Sequence, residues 1–341
     1  MNPAPGASVR VSAPVRLDFA GAWTDVAPFA DRERGIVVNA AIELRTHVDI
    51  RPGQSRYQLV SDDLAETIGA DRAEDLVLDG RLDLVKAAIR SSRCPPCAVR
   101  TTAAAPAGSG LGSSGALGVA LVAAFEVLRS GRPMDEVIAS PAALAEAAWR
   151  LETADAGIAG GKQDQYAAAL GGFQRLSFER GSVRAEQLAL DPGFAAELAA
   201  HTLLCFTGRS RFSGSTISRV MQAYETGDER VTSALRALAE IADAMADAML
   251  RSDLVGVGRL LAANWAEQQH LDAGMSTPEM EQLEGAMRCA GAIGGKAAGA
   301  GAGGSMFFIV PGRADHAIAA ATGGGATILP VTWAGRGVAP C

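Results

Sequence analysis

Residues 106–114 combine the residue types that bind phosphate. Their sequence, Pro-Ala-Gly-Ser-Gly-Leu-Gly-Ser-Ser, leads directly into an apolar stretch. Glycines let a backbone approach an anion closely, and the unpaired N–H groups at a helix start attract negative charge. Ser113 and Ser114 carry hydroxyls that either cap the helix or contact magnesium. By itself, this pattern leaves phosphate binding and an ordinary capped loop equally open.

Other glycine-rich segments do not match the common nucleotide-binding loops. A Walker A loop needs Ser or Thr directly after its lysine, but Gln163 follows Lys162 and Ala297 follows Lys296. Residues 299–304 fit G-x-G-x-x-G, yet they precede a predicted strand rather than a helix. The dinucleotide fingerprint therefore lacks its structural context.

One C-x-x-C motif, Cys94-Pro-Pro-Cys97, stands among five cysteines. A zinc site of this type needs a second pair of ligands, and the other three cysteines are isolated. We interpret the motif as structural or incidental.

The elements that position these loops are mixed. The pattern predicts strands at 9–19, 36–42, 46–50, 98–102, 173–178, 305–310 and 327–332. It predicts helices at 82–90, 114–128, 142–152, 213–226, 230–250, 254–270, 278–290 and 314–321. The order lacks strict β-α-β regularity, which favours the α+β class. The polar stretch 180–192 is a candidate domain boundary.

Composition limits the classes of partner. The 341 residues are 48% apolar, which suits two packed domains sharing a cleft, and their net charge of −7 argues against nucleic acid. Residues 1–10 lack the apolar core of a signal peptide, and no run of about 18 uncharged apolar residues occurs. These features predict a cytoplasmic protein with a small-molecule partner and no membrane span. A monomer or a homodimer is expected, without a sequence feature that decides between them.

Four ordered motifs resemble those of the GHMP kinase superfamily, and together they extend over nearly the whole chain. The first is Pro14-Val-Arg-Leu-Asp-Phe-Ala-Gly-Ala-Trp-Thr-Asp25, similar to the N-terminal motif of the sugar kinases. The phosphate loop 106–114 is the second. Gly160-Gly-Lys-Gln-Asp-Gln-Tyr166 and Gly294-Gly-Lys-Ala-Ala-Gly-Ala-Gly301 are the third and fourth.

The resemblance implies an ATP- and magnesium-dependent kinase with a two-domain α+β fold. An N-terminal ATP-binding domain with a left-handed β-α-β unit would occupy 1–190, and a ferredoxin-like domain would occupy 191–341. The active site would lie in the cleft between them.

The same resemblance implies a role for each motif residue. Asp164 would be the catalytic aspartate and Arg16 its basic partner, which keeps Asp164 ionised and offsets charge on the alkoxide. Ser114 and Glu152 would hold magnesium, although Glu152 alone also fits a solvated charge at a helix end. Nucleotide-binding residues would be Pro106, Gly108, Ser109, Gly110, Leu111, Gly112, Ser113 and Ser114. Substrate-binding residues would be Trp23, Thr24, Asp25, Gly160, Gly161, Lys162 and Arg211.

Two of these assignments keep an alternative. Asp25 either grips sugar hydroxyls or closes an Asx turn. Lys162 and Lys296 either face phosphate or support the structure.

The sugar is the least determined feature. Residues 160–173 and 206–211 resemble D-glycero-D-manno-heptose 7-phosphate kinases, which phosphorylate the anomeric hydroxyl. Trp23 and residues 271–278 resemble L-fucokinases instead. Where heptose 7-phosphate kinases tend to carry two lysines, Gln268 and Gln269 stand here, which weakens the case for a phosphorylated substrate. Heptose 7-phosphate leads, an unphosphorylated sugar follows, and a non-catalytic sugar sensor is the alternative from another class. A kinase of non-sugar alcohols such as mevalonate is a weaker option.

Overall fold

The fold contains two separate β-sheets. The computed structural model describes residues 8–208, 214–312 and 314–341. The strands are β1 Val9–Ala20, β2 Gly35–Pro52, β3 Tyr57–Ser61, β4 Glu66–Ala70, β5 Cys97–Ala103, β6 Phe173–Glu179, β7 Ser182–Gln187, β8 Thr202–Phe206, β9 Gly294–Ala297, β10 Ser305–Ile309, β11 Thr327–Leu329 and β12 Ala339–Pro340.

The helices alternate irregularly with these strands. They are α1 Phe29–Arg32, α2 Asp83–Ser92, α3 Ser113–Ser130, α4 Met134–Ile138, α5 Pro141–Arg150, α6 Gln163–Leu170, α7 Pro192–His201, α8 Gly214–Glu225, α9 Glu229–Leu250, α10 Leu254–Gln269, α11 Pro278–Cys289 and α12 Ala314–Gly323. A 3₁₀ turn at Ala73–Asp75 and a π turn at Leu151–Asp155 complete the set.

The first sheet is built around the 18-residue strand β2, and its strand order is β12-β1-β2-β5-β3-β4. The hairpin β6–β7 pairs with the first half of β2. The prediction of two strands at 36–42 and 46–50 was wrong, because β1 pairs with both halves of β2. The register shift between Pro14/Arg45 and Val15/Ile42 forms a bulge at the residues that looked like a turn.

Helix α3 is buried, as its all-round apolar character predicts. It packs against β1, β2, α5 and α6. In length and composition it would also suffice to cross a membrane, but 56% of it is buried inside the protein. It therefore serves as the central core helix of the first unit, and its first turn follows the phosphate loop.

The second sheet has the order β11-β8-β10-β9, and all its described pairs are antiparallel. Its long helices begin at the predicted signals. Asp228 caps α9, Asp253 caps α10 and Thr277 caps α11, each accepting a hydrogen bond from a backbone N–H of the first turn. Helices α9 and α10 also pack on β1, so that strand is buried on both faces.

The chain crosses between the two units more than once. Residues 182–187 of the predicted boundary segment form β7 of the first sheet, and the chain continues through α7 into the second sheet. After β11 it returns: Trp333 bridges to Ile42, and β12 pairs with β1. The division at 190/191 stays a prediction.

Candidate active site

The phosphate loop joins β5 to α3 through three glycines with positive φ. Gly108, Gly110 and Gly112 have φ values of +68°, +75° and +80°, which favour glycine. A Cβ on Gly112 would lie 3.1 Å from Cγ of Asp164, and one on Gly115 would lie 2.6 Å from Cβ of Asp164. Small residues at the helix start therefore let α6 bring Asp164 against the loop.

This loop forms one wall of a cavity of about 340 Å³, called here the catalytic cavity. Predicted site residues that line it are Arg16, Trp23, Asp25, Gly108, Ser109, Gly110, Gly112, Ser113, Ser114, Glu152, Gly160, Gly161 and Asp164. The C-terminal glycine loop adds Ala300, Gly301 and Gly303. Residues from all four sequence motifs or their adjoining loops thus meet around one space.

Arg16 and Asp164 form the central ion pair of this cavity. Nε of Arg16 donates to Oδ1 of Asp164 at 2.8 Å, and Nη2 lies 2.8 Å from the same oxygen. Nη1 donates to the carbonyls of Gly110 at 2.7 Å and Ala298 at 3.0 Å. The Arg16 side chain is 6% exposed, whereas 25% of the Asp164 side chain is exposed. The carboxylate is therefore held in a fixed orientation while it still contacts the cavity.

Glu152 lies in the π turn that follows α5. It is buried, Nε2 of Gln165 donates to it, and the Ser114 side chain is close enough to lower its pKa. Burial raises its pKa to about 7, and the nearby charge of Asp164 adds to that increase. A buried carboxylate beside a serine hydroxyl at the phosphate loop fits a hard cation such as Mg²⁺.

Asp25 also lines the catalytic cavity. Its Oδ2 accepts the backbone N–H of Gln163 at 3.0 Å, which connects the first and third motifs. Burial raises its pKa to about 6, and the charges of Asp164 and Asp18 also raise it. A Cβ on Gly161 would lie 1.9 Å from Oδ2 of Asp25, so glycine is required there. The carboxylate can accept hydrogen bonds from hydroxyls of a ligand in the cavity.

Some predicted site residues support the site without facing the catalytic cavity. The Thr24 hydroxyl is fully buried and bonds to the backbone of Gly21 and Ile36, so a direct substrate contact is wrong for Thr24. Leu111 is fully buried, and its carbonyl accepts the N–H of Arg16 at 2.9 Å. Pro106 shapes the loop by accepting the N–H of Ser109. Sequence order does not show which way a side chain points, so the inward direction of the Thr24 hydroxyl was not foreseen; nucleotide binding through the backbone of Pro106 and Leu111 stays a prediction.

The two lysines left open differ in surroundings. Lys296 is fully buried and pairs with the carboxylate of Asp18, and it donates to the carbonyls of Asp18 at 2.8 Å and Ala297 at 2.9 Å. Lys296 therefore connects β1 to β9 and does not face phosphate. Lys162 pairs with Glu146 and lines a neighbouring cavity. Arg211, like Arg209, lies outside the described residues.

Helix α10 holds two glycine segments in place, a role that the sequence did not suggest. Asn264 accepts the N–H of Gly21 at 2.9 Å, and Nε2 of Gln268 donates to the carbonyl of Gly299 at 2.9 Å. Both side chains are fully buried. Gln268 and Gln269 line neither cavity. The argument that they replace two phosphate-binding lysines therefore has no support in this geometry. The available sequence signal was the spacing of Asn264 and Gln268, which are four residues apart and therefore lie on the same face of a helix.

The cysteine motif has no metal partner among the described residues, where no cluster of three or more His, Cys, Asp or Glu side chains could hold a metal. Cys94 and Cys97 are free thiols, and Cys97 is the first residue of β5. Magnesium bound with a nucleotide takes several ligands from phosphate and water, so a site with few protein ligands suits it.

Comparison with known proteins agrees with this arrangement. The GHMP kinases N terminal domain matches residues 81–172, and the GHMP kinases C terminal domain matches residues 245–327. The D-glycero-alpha-D-manno-heptose 7-phosphate kinase of Campylobacter jejuni is 32% identical over 311 residues, covering 89% of each chain. This chain belongs to the GHMP kinase family. The predicted superfamily and its α+β fold are confirmed.

Two further relatives of this GHMP kinase bear on the sugar. A crystal structure of a D-glycero-D-manno-heptose 1-phosphate kinase from Bacteroides thetaiotaomicron superposes with a TM-score of 0.78 and 27% identity, covering 98% of each chain. The bifunctional fucokinase/GDP-fucose pyrophosphorylase of Arabidopsis thaliana is 26% identical over 297 residues, which are 80% of this chain and 27% of that protein. Similarity to the heptose kinases thus covers more of both chains.

Proposed function

We propose that this GHMP kinase transfers the γ-phosphate of ATP to the anomeric hydroxyl of D-glycero-D-manno-heptose 7-phosphate, giving the 1,7-bisphosphate. The observation that carries the proposal is the Arg16–Asp164 pair on the wall of a cavity that the phosphate loop and Asp25 also line. A carboxylate in that cavity supports a role at the acceptor hydroxyl of a kinase that binds ATP on the loop. The similarity to the Campylobacter jejuni enzyme supports heptose 7-phosphate as the acceptor.

The residues divide the work of phosphoryl transfer between positioning and charge. The backbone of residues 108–114 would cradle the triphosphate at the start of α3. Ser114 and Glu152 would hold Mg²⁺, which neutralises phosphate charge when bound. Asp25 would accept hydrogen bonds from sugar hydroxyls. Asp164 would accept the hydrogen bond of the anomeric hydroxyl and take or orient its proton, while the hydrogen bonds from Arg16 hold that carboxylate in place.

The test is ADP release with ATP and magnesium on a panel of acceptors. The panel contains D-glycero-D-manno-heptose 7-phosphate, the free heptose, sedoheptulose 7-phosphate, L-fucose, D-mannose and D-galactose, with mevalonate as the control. We expect the highest kcat/KM on heptose 7-phosphate, and ³¹P NMR should place the new phosphate on C1. Turnover on a free sugar alone would support an unphosphorylated-sugar kinase instead.

The same assay tests the catalytic assignment. Asp164→Ala should lower kcat at least a hundredfold, because it removes the group that contacts the hydroxyl proton. ATP affinity should change little, since the phosphate loop is untouched. Turnover near that of the wild type would remove Asp164 from the catalytic role. A wild-type protein that binds sugar and ATP but transfers no phosphate would support the sensor alternative.

A further inference from the structure

A second cavity of about 640 Å³, called here the side cavity, adjoins the catalytic cavity. Asp25, Val26, Ala159, Gly160 and Ile217 line both spaces. Asp25 therefore lies at their junction. The inference that follows rests on the proposed function. A sugar that places its acceptor hydroxyl at Asp164 and other hydroxyls at Asp25 extends its remote end into the side cavity.

Lys162 is on the wall of this side cavity. Its ammonium donates to the two carboxylate oxygens of Glu146 at 2.9 and 3.0 Å, and it has a longer contact of 3.4 Å to the carbonyl of Gly181. It also lies 4.5 Å from the centre of the Trp149 ring. The Tyr166 hydroxyl also donates to Glu146 at 3.0 Å, which helps to hold the carboxylate in place. The Lys162 side chain is only 12% exposed, so its charge acts in a poorly hydrated place.

The charges around the side cavity are unevenly distributed. Among its described lining residues Lys162 is the one cation, while the carboxylates are Asp25, Asp31, Glu146 and Glu225. Asp31 and Glu225 are exposed, and Glu225 forms an ion pair with Arg32. Glu146 is already neutralised by Lys162. The inner wall thus offers an ammonium whose present partner can be exchanged for another anion.

We propose that the side cavity holds the phosphorylated end of a sugar phosphate, with Lys162 as the ligand of that phosphate. Glu146 pairs with Lys162 in the free enzyme, and the incoming phosphate takes over part of that pairing. Phosphate and carboxylate oxygens both form charge-assisted hydrogen bonds with an ammonium, and a dianion carries twice the charge of Glu146, so a phosphate can replace the 3.4 Å Gly181 contact and share Lys162 with Glu146. Lys162 then discriminates phosphorylated from unphosphorylated substrates, and Glu146 opposes phosphate binding.

The proposal predicts opposite effects for two substitutions, measured with heptose 7-phosphate and the free heptose. Lys162→Met should raise KM for the phosphorylated sugar about tenfold or more and change KM for the free sugar less than about twofold. Glu146→Gln keeps an acceptor for Tyr166 but removes the competing charge. It should lower KM for heptose 7-phosphate about two- to threefold and leave the free heptose unaffected.

Glu197→Gln is the matched control, because Glu197 is an exposed carboxylate on α7 outside both cavities. If Lys162→Met changes KM equally for both sugars, the proposal is overturned, because a residue that only shapes the cavity wall affects the binding of both sugars alike. Unchanged KM in both variants would overturn it too. Absence of wild-type turnover on heptose 7-phosphate would overturn the proposed function together with this inference, whereas wild-type turnover with unselective variants would overturn the side-cavity assignment alone. If Lys162→Met fails to fold, Glu146→Gln provides the test by itself.

Discussion

Glu152 shows how one buried side chain couples the site to pH. Its pKa is about 7 in the folded protein against an ordinary value of 4.5, because burial penalises the charged form. For an acid with a raised pKa, the folded state binds its proton more tightly than the unfolded state does. The stability from this group is therefore complete below about pH 4.5 and is lost as the pH rises towards about 7.

Glu152→Gln should for that reason become more stable relative to the wild type as the pH rises. Without nucleotide or magnesium, the difference in the free energy of unfolding should shift by on the order of 2 kcal/mol between pH 5 and pH 8. Urea denaturation at both pH values checks this. A pH-independent difference would contradict the raised pKa.

The same variant tests the proposed magnesium role. In the kinase assay, Glu152→Gln should need a higher magnesium concentration for half-maximal activity, since it lacks an anionic ligand. An unchanged magnesium titration would count against Glu152 as a ligand.

At the residue scale, the family motifs in the sequence identified more site residues than the chemistry of the residue types alone would have done. Arg16, Asp25 and Asp164 were assigned through the family motifs, and the structure brings them to one cavity. Thr24 was assigned a substrate contact, but its hydroxyl bonds to the nearby backbone of Gly21 and Ile36. Lys296 was left undecided because its buried partner Asp18 is far away in sequence.

The start of α6 is the element that decides how closely the first and third motifs approach each other. Gly161 precedes this helix, and no Cβ fits between it and the carboxylate of Asp25. The backbone N–H of Gln163 reaches Asp25 only at this spacing. Glycine is therefore required at position 161 because a side chain would clash with Asp25, and not because the backbone has a positive φ.

Gly161→Ala should displace the Asp25 carboxylate and raise KM for the sugar about tenfold, with little change in ATP affinity. Overpacking should also cost about 1–3 kcal/mol of stability. Steady-state kinetics with each substrate varied separately checks the first expectation. Gly285→Ala on α11 is the matched control, because a Cβ there meets no atom within 4 Å. A sugar KM equal to that of the control would show that Asp25 does not bind the sugar.

Elements were predicted where the signal was local. Helices α9, α10 and α11 begin within one residue of their predicted starts, since their caps are in the sequence. The continuity of β2 was missed, because a bulge and a turn use similar residues. The strand β7 was missed as well, since it is mostly exposed and polar on an edge.

For the whole molecule, the Asp18–Lys296 pair is a buried ionic contact between the two sheets, joining β1 of the first to β9 of the second. Both side chains are fully buried. Burial lowers the pKa of Lys296, while the charge of Asp18 opposes that decrease. Removing one partner leaves an uncompensated buried charge, which is far more costly than the pair itself.

Lys296→Met should lower the free energy of unfolding by about 3–5 kcal/mol. Asp18→Asn combined with Lys296→Met should recover part of this loss, because the stranded charge is gone. Arg129→Gln is the control, since its exposed pair with Glu126 should contribute less than about 1 kcal/mol. Urea denaturation of the wild type, Lys296→Met, the double variant and Arg129→Gln measures these differences in the free energy of unfolding. A loss no larger than that of the control would mean that the pair does not hold the sheets together.

The pairing of β12 with β1 has a consequence for synthesis on the ribosome. Ser12 and its neighbour in the sheet, Ala339, are separated by roughly 330 residues. At bacterial or eukaryotic elongation rates, roughly 15–65 s pass between the emergence of the two. During that interval the edge of β1 has unpaired backbone groups that invite pairing with other nascent chains. Strand β12 therefore covers this edge of the first sheet only long after β1 has been made, and removing residues 339–340 should increase aggregation, which light scattering would measure.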